Sequence, residues 1–142
     1  MADWHAVRAA IATKLGAVSG VESASADSID NAPSTPAVLI TNVSTLDMTA
    51  RGPGCEYREA DINGLLLVAR TADTGTAMQT AEDLAEAITV AMRTDVQLGY
   101  VGIVQDSYVR LMQLGEVTVG GIAYVGASMT FRVAVRENVT RT

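Results

Sequence analysis

The chain has 142 residues, a length at which a single domain buries roughly two thirds of its unfolded surface and needs no covalent staple. One cysteine, Cys55, and one histidine, His5, exclude an internal disulfide framework and a Cys/His zinc site. A net charge of −6, with nine of the ten cations arginine and no basic run, argues against general affinity for a nucleic-acid backbone.

Charged residues make up 18% of the chain, below the roughly 25% of typical soluble domains, and apolar residues 49%, so part of the surface is expected to face another subunit. The opening Met-Ala-Asp-Trp-His-Ala-Val-Arg lacks the charged-then-apolar layout of a secretory leader, and no apolar run approaches the roughly 18 residues of a membrane span. The expectation is a soluble chain that starts in a reducing, intracellular setting. On that reading the sequons at Asn42 and Asn138 are coincidental.

In chain order, Trp4, Val7, Ile11, Leu15 and Val18 recur at helical spacing, with Asp3 placed as N-cap and Gly16 and Gly20 bracketing the end. Residues 20–36 are rich in Ser, Asp and Pro and read as a surface connection. Asp27 and Asp30 lack the Gly and closing Glu of a calcium loop, so they read as turn carboxylates. Pro36 then releases a short strand, Ala37–Thr41.

Residues 44–56 break the pattern. Gly52-Pro53-Gly54 permits a tight reversal while opposing central-strand hydrogen bonding, which predicts a hairpin arm or long loop outside the regular sheet, bearing Leu46 and Met48. Tyr57–Arg70 reads as a long strand; apolar residues of both parities (Ile62, Leu65, Leu66, Leu67, Val68) place it centrally, covered on both faces. After a turn at 71–75, Thr76 and Gln79 suggest a capping box for a second helix whose Ala77, Ala81, Leu84, Ile88 and Met92 share a face. Glu82, Asp83 and Glu86 fall on its solvated side. Residues 94–107 are glycine-punctuated and read as a loop or irregular edge, and Tyr108–Val119 as a strand.

Gly120-Gly121 turns the chain into the strand on which the fold is anchored. Val125, Ala127, Met129, Phe131, Val133 and Val135 alternate with Gly126, Ser128, Thr130, Arg132, Ala134 and Arg136, so one face is core. Phe131→Ala is expected to destabilise the core strongly, and Arg132→Ala, one residue along on the other face, to be far milder in the isolated subunit. The whole predicts an α+β fold over residues 1–142: a mainly antiparallel sheet of about four strands, two helices packed on one face, and an extended hairpin arm or loop.

The chemistry search yields no constellation. A Ser or Cys nucleophile needs a base, yet the single histidine lies at the chain start and Cys55 follows Gly-Pro-Gly; no Gly-x-Ser-x-Gly occurs, and Gly120-Gly121 lies between strands rather than before a helix. The expectation is a protein that is not an enzyme, with no catalytic residue, cofactor or metal.

The order of elements resembles the tail terminator (tail completion) proteins of long-tailed bacteriophages. The resemblance rests on a helix ending Leu15-Gly16, the entry Pro36-Ala37-Val38-Leu39-Ile40, the run Leu66-Leu67-Val68-Ala69, and Gly120-Gly121-Ile122-Ala123-Tyr124-Val125-Gly126-Ala127 before the last strand. It implies a structural virion protein, assembled in host cytoplasm as a ring, usually a hexamer. The ring caps the tail tube, stops its growth and presents the head-joining surface. The implied partners are other copies of the chain, the tube protein and head–tail neck proteins, with the genome passing through unbound and no membrane involved. By position, the arm and the 94–107 loop supply the candidate contacts: Leu46, Met48, Arg51, Pro53, Leu98 and Tyr100. Two alternatives stay open: another neck or connector component, and a small cytoplasmic ligand-binding domain, which needs a pocket with convergent polar groups.

Overall fold

The computed structural model describes residues 3–26, 34–52, 54–70, 75–94, 98 and 104–138; for residues 49–52, 137 and 138 it describes the backbone alone. The elements run α1 (Trp4–Gly16), β1 (Ser23–Ser25), β2 (Ala37–Gly52), β3 (Cys55–Arg70), α2 (Ala77–Ala91), β4 (Val104–Val119) and β5 (Ile122–Asn138). The strands form one five-stranded sheet in the order β1-β2-β3-β5-β4, antiparallel except for β1 beside β2. The architecture is α+β as expected, with one strand more than expected. The extra strand is β1, whose three residues carry no periodicity and are held in place by pairing to Ala37–Leu39.

Local signals account for the helices. The Asp3 carboxylate accepts from the Ala6 N–H at 3.1 Å, satisfying one orphan donor of α1, and Val7, Ile11, Ala12 and Leu15 are buried. The Arg8 guanidinium donates to the Ala26 and Thr41 carbonyls, tying α1 to the chain after β1 and to β2. In α2 the five expected residues, Ala77, Ala81, Leu84, Ile88 and Met92, are buried. The expected capping box does not form, because Thr76 makes no side-chain cap hydrogen bond; only its carbonyl takes part, accepting from Thr80.

Both helices join one apolar cluster with Val38, Ile40, Ile62, Leu66 and the entire alternate set of β5 from Val125 to Val135. That side of the sheet is called the front face below. β3 is the central strand, as its two-parity pattern predicts. On the back face Ala37, Leu39, Leu67 and Tyr124 form a second small cluster, against which Val117, Val119 and Ile122 at the end of the β4–β5 hairpin pack. Gly120 and Gly121 make that hairpin's turn with φ of 58° and 79°, the left-handed pair that a two-residue loop between twisted strands requires.

The arm is where the sequence expectation fails. Residues 44–52 are not outside the sheet: they continue β2, and Gly52 pairs with Cys55 across a hairpin that carries the sheet onward. β2 contains three register shifts, one each between Ile40 and Asn42, Val43 and Thr45, and Met48 and Ala50. Each inserted residue reverses the parity of all that follow, so the front face runs Val38, Ile40, Val43, Leu46, Met48. A reading that assumes unbroken alternation ends the strand at Thr41. β3 also pairs with β5 from Cys55 to Arg70, so the distal hairpin is bonded on both sides of β3.

Candidate functional site

Past the cover of the helices, the front face of the distal hairpin presents Leu46, opposite Ala60, and Met48, opposite Arg58. Ala60 and the neighbouring Val133 and Val135 on the same face are buried, whereas Leu46 is 47% and Met48 53% exposed. The apolar face thus continues beyond what this chain's own helices shield. These two candidate contacts stand together at the surface.

The other candidates do not join them. Leu98 is buried in the main core, with a φ of 57°, so its apolar surface is already used within the subunit. This corrects its place among the outward contacts; a glycine-punctuated sequence gives no sign of which residue turns inward. Pro53, Tyr100 and the side chain of Arg51 lie outside the described residues, as do Asp27, Asp30 and most of the 94–107 loop.

On the back face of the same hairpin lies a charged lattice that the sequence reading missed. Arg132 of β5 sits directly opposite Asp61 of β3. Its Nη1 donates to Asp61 at 2.9 Å, its Nε and Nη2 to Glu59 at 3.1 and 2.8 Å, and Nη2 also to Asp47 of β2 at 3.1 Å. Arg110, at a bulge of β4, donates to the second Asp61 oxygen at 3.3 Å. The Arg132 guanidinium cross-links β5, β3 and β2, and Asp61 extends the lattice to β4 through Arg110. Asp61 and then Glu59 push the Arg132 pKa further above its ordinary value, so the group stays charged at any working pH.

Arg132 is therefore not the minor surface residue its place in the alternation suggests. Its side chain is 15% exposed and that of Asp61 11%, so Arg132→Ala leaves a desolvated carboxylate with only the peripheral Arg110. A loss of about 2–3 kcal/mol is expected in chemical denaturation, below the full cost of breaking a buried pair because Glu59 and Asp47 can turn to water. Arg110→Ala, removing a side chain more than half exposed, is expected to cost less than about 1 kcal/mol. Midpoints for both variants equal to that of wild type would show that the lattice carries no stability. Nearby on this face, Arg136 stacks over Tyr57, 5.9 Å from the ring centre.

A groove of about 570 Å³ lies between the ends of the helices, lined by Lys14, Ala17, Val18, Ala87, Val90, Ala91 and Thr94. It is mostly apolar. Its polar groups are turned to the backbone: the Lys14 ammonium donates to the Thr94 carbonyl and the Thr94 hydroxyl to the Ala91 carbonyl. Polar groups so engaged do not converge on a bound molecule. Among the described residues no three His, Cys, Asp or Glu are placed to hold a metal ion. His5 is exposed on the first turn of α1, and Glu82, Asp83 and Glu86 are exposed on α2. No family model matches the chain, and no curated protein matches it.

Proposed function

We propose that this chain is a structural virion subunit. Copies of it form a ring, a hexamer, that caps the tail tube of a long-tailed bacteriophage, ends tube polymerisation and presents the surface to which the head is joined. The observation that supports the reading is the distal β2–β3 hairpin, a continuation of the sheet past the helices with Leu46 and Met48 uncovered on its front face. Such a surface suits a permanent protein neighbour, whether another copy or the tube. The role asks for shape and complementary surface, not for a reacting group, and the residue patterns that resemble tail terminators extend from the first helix to the last strand.

The experiment is a phage in which this gene is deleted. Tails of excess and variable length, with full heads unattached, are expected, and the wild-type gene supplied in trans restores uniform, joined tails. Tails of normal length on joined particles would sink the proposal.

Charge adds a second expectation. A ring multiplies the −6 of each chain, so its lining repels phosphate and a passing duplex slides instead of sticking. The purified protein should not retard duplex DNA in a gel at physiological salt. A salt-sensitive complex at micromolar protein would favour a DNA-gripping component.

A further inference from the structure

Among the described residues, the sheet ends on both sides in long stretches of strand with no outer neighbour. On one side β4 is the last strand, 16 residues long. On the other side β1 covers only Ala37, Val38 and Leu39 of β2, and Arg8 takes up the Thr41 carbonyl. From Asn42 to Gly52 no strand lies outside β2. Exposed edges are ordinarily blunted by shortness, by Lys and other charges, by Pro or by bulges. Both edges are long and lack Lys and Pro, and their register shifts leave Thr45–Met48 of β2 and Asp106–Val109 of β4 as unbroken stretches at one height.

The two edges also fit each other. Across the register, Asn42 stands level with Asn63, Thr130 and Leu111, while Met48 stands level with Arg58, Val135 and Val104. Residues 42–48 of one edge and 104–111 of the other thus occupy the same height of the sheet. Three successive antiparallel pairings make β2 and β4 run in opposite directions. A copy rotated about an axis along the strands keeps its strand directions, so its β2 meets the first copy's β4 antiparallel. Both edges are flanked by exposed apolar side chains, Leu111 and Leu114 on β4, Leu46 and Met48 on β2. Leu114, opposite the buried Ala127, shares the front face with Leu46 and Met48, and Leu111, opposite Thr130, lies on the back face at the height of Asn42.

We infer that β4 of one copy pairs with residues 42–52 of β2 in a second copy, so that the sheet continues from subunit to subunit. The two edges differ, so the contact is heterologous and repeats until rotation closes a ring. The inference names the joint of the ring proposed above and rests on that reading for its biological setting. The pairing itself is tested on the purified chain.

Two variants separate the edges: Leu111→Lys with Leu114→Lys on β4, and Leu46→Lys with Met48→Lys on β2. All four side chains are exposed, so both variants should melt as wild type does; the single variants Leu111→Lys and Met48→Lys serve if either double variant does not. Wild type is expected to sediment as a closed ring, and each variant alone as a monomer. An equimolar mixture should give a 1:1 heterodimer under glutaraldehyde capture and nothing larger, because one intact β2 edge then meets one intact β4 edge. A monomeric wild type, a ring formed by either variant alone, a self-dimer of the β2-edge variant, or a mixture that stays monomeric would each overturn the inference. Rings that behave as expected in a phage whose tails keep their length without the gene would sink the capping role and leave the joint standing.

Discussion

Gly126→Ala is expected to yield a chain that does not reach the native fold. Gly126 stands on β5 opposite Leu67, beside the register shift between Leu67 and Ala69. A Cβ added there would lie 1.8 Å from the Leu66 carbonyl oxygen and 2.8 Å from its carbon. Both atoms are backbone in the central strand, so no rotamer change relieves the clash; β3 and β5 would have to part, breaking the ladder that carries the core. A loss of more than about 4 kcal/mol is expected, a large part of the roughly 5–15 kcal/mol that holds a typical domain. Circular dichroism and thermal melting of the purified variant are the check. Gly75→Ala, with open space around the new methyl, is the control and should stay within about 0.5 kcal/mol of wild type. A cooperative Gly126→Ala melt within a few degrees of wild type would mean that the two backbones do not approach so closely.

Phe131→Ala is expected to cost about 3–5 kcal/mol. Phe131 is the one phenylalanine of the chain, is fully buried, and lies between Ile62 of β3 and Val109 of β4 on the front face. Its ring edge is 3.0 Å from where a Gly64 Cβ would stand, so the ring occupies the room that glycine leaves. Truncation opens a cavity under the helices that strands paired on both sides cannot close. Phe131→Leu, which refills most of that volume, should cost about 1–2 kcal/mol. The ordering Ala well below Leu in urea midpoint, with unchanged slope, supports this packing. An Ala variant no worse than the Leu variant would show that the ring is not the centre of the core.

Much of the architecture lies in local pattern. The alternation from Val125 to Val135 names one face of β5, and all six residues are buried. The spacings in α1 and α2 name their inward stripes. Apolar residues of both parities mark β3 as central, and two adjacent glycines mark a hairpin turn. Each of these signals works because it concerns one element meeting one environment, and such a requirement is written into neighbouring residues.

What the sequence by itself determined, then, is the kind of fold, the central strand and the core faces of three elements. The tertiary structure decided the rest, because the rest depends on how separate strands align. β2 extends to Gly52 only because β3 offers a partner at every step, and its three bulges hide that continuity by reversing parity. Ser23–Ser25 is a strand only by virtue of its neighbour. Arg132 reads as one outward residue among several until the register sets it against carboxylates 71, 73 and 85 positions away. The two outer edges of the described sheet, at one height and opposed in direction, exist only once the strands are assembled: a single strand holds the period of its side chains but no record of what pairs beside it.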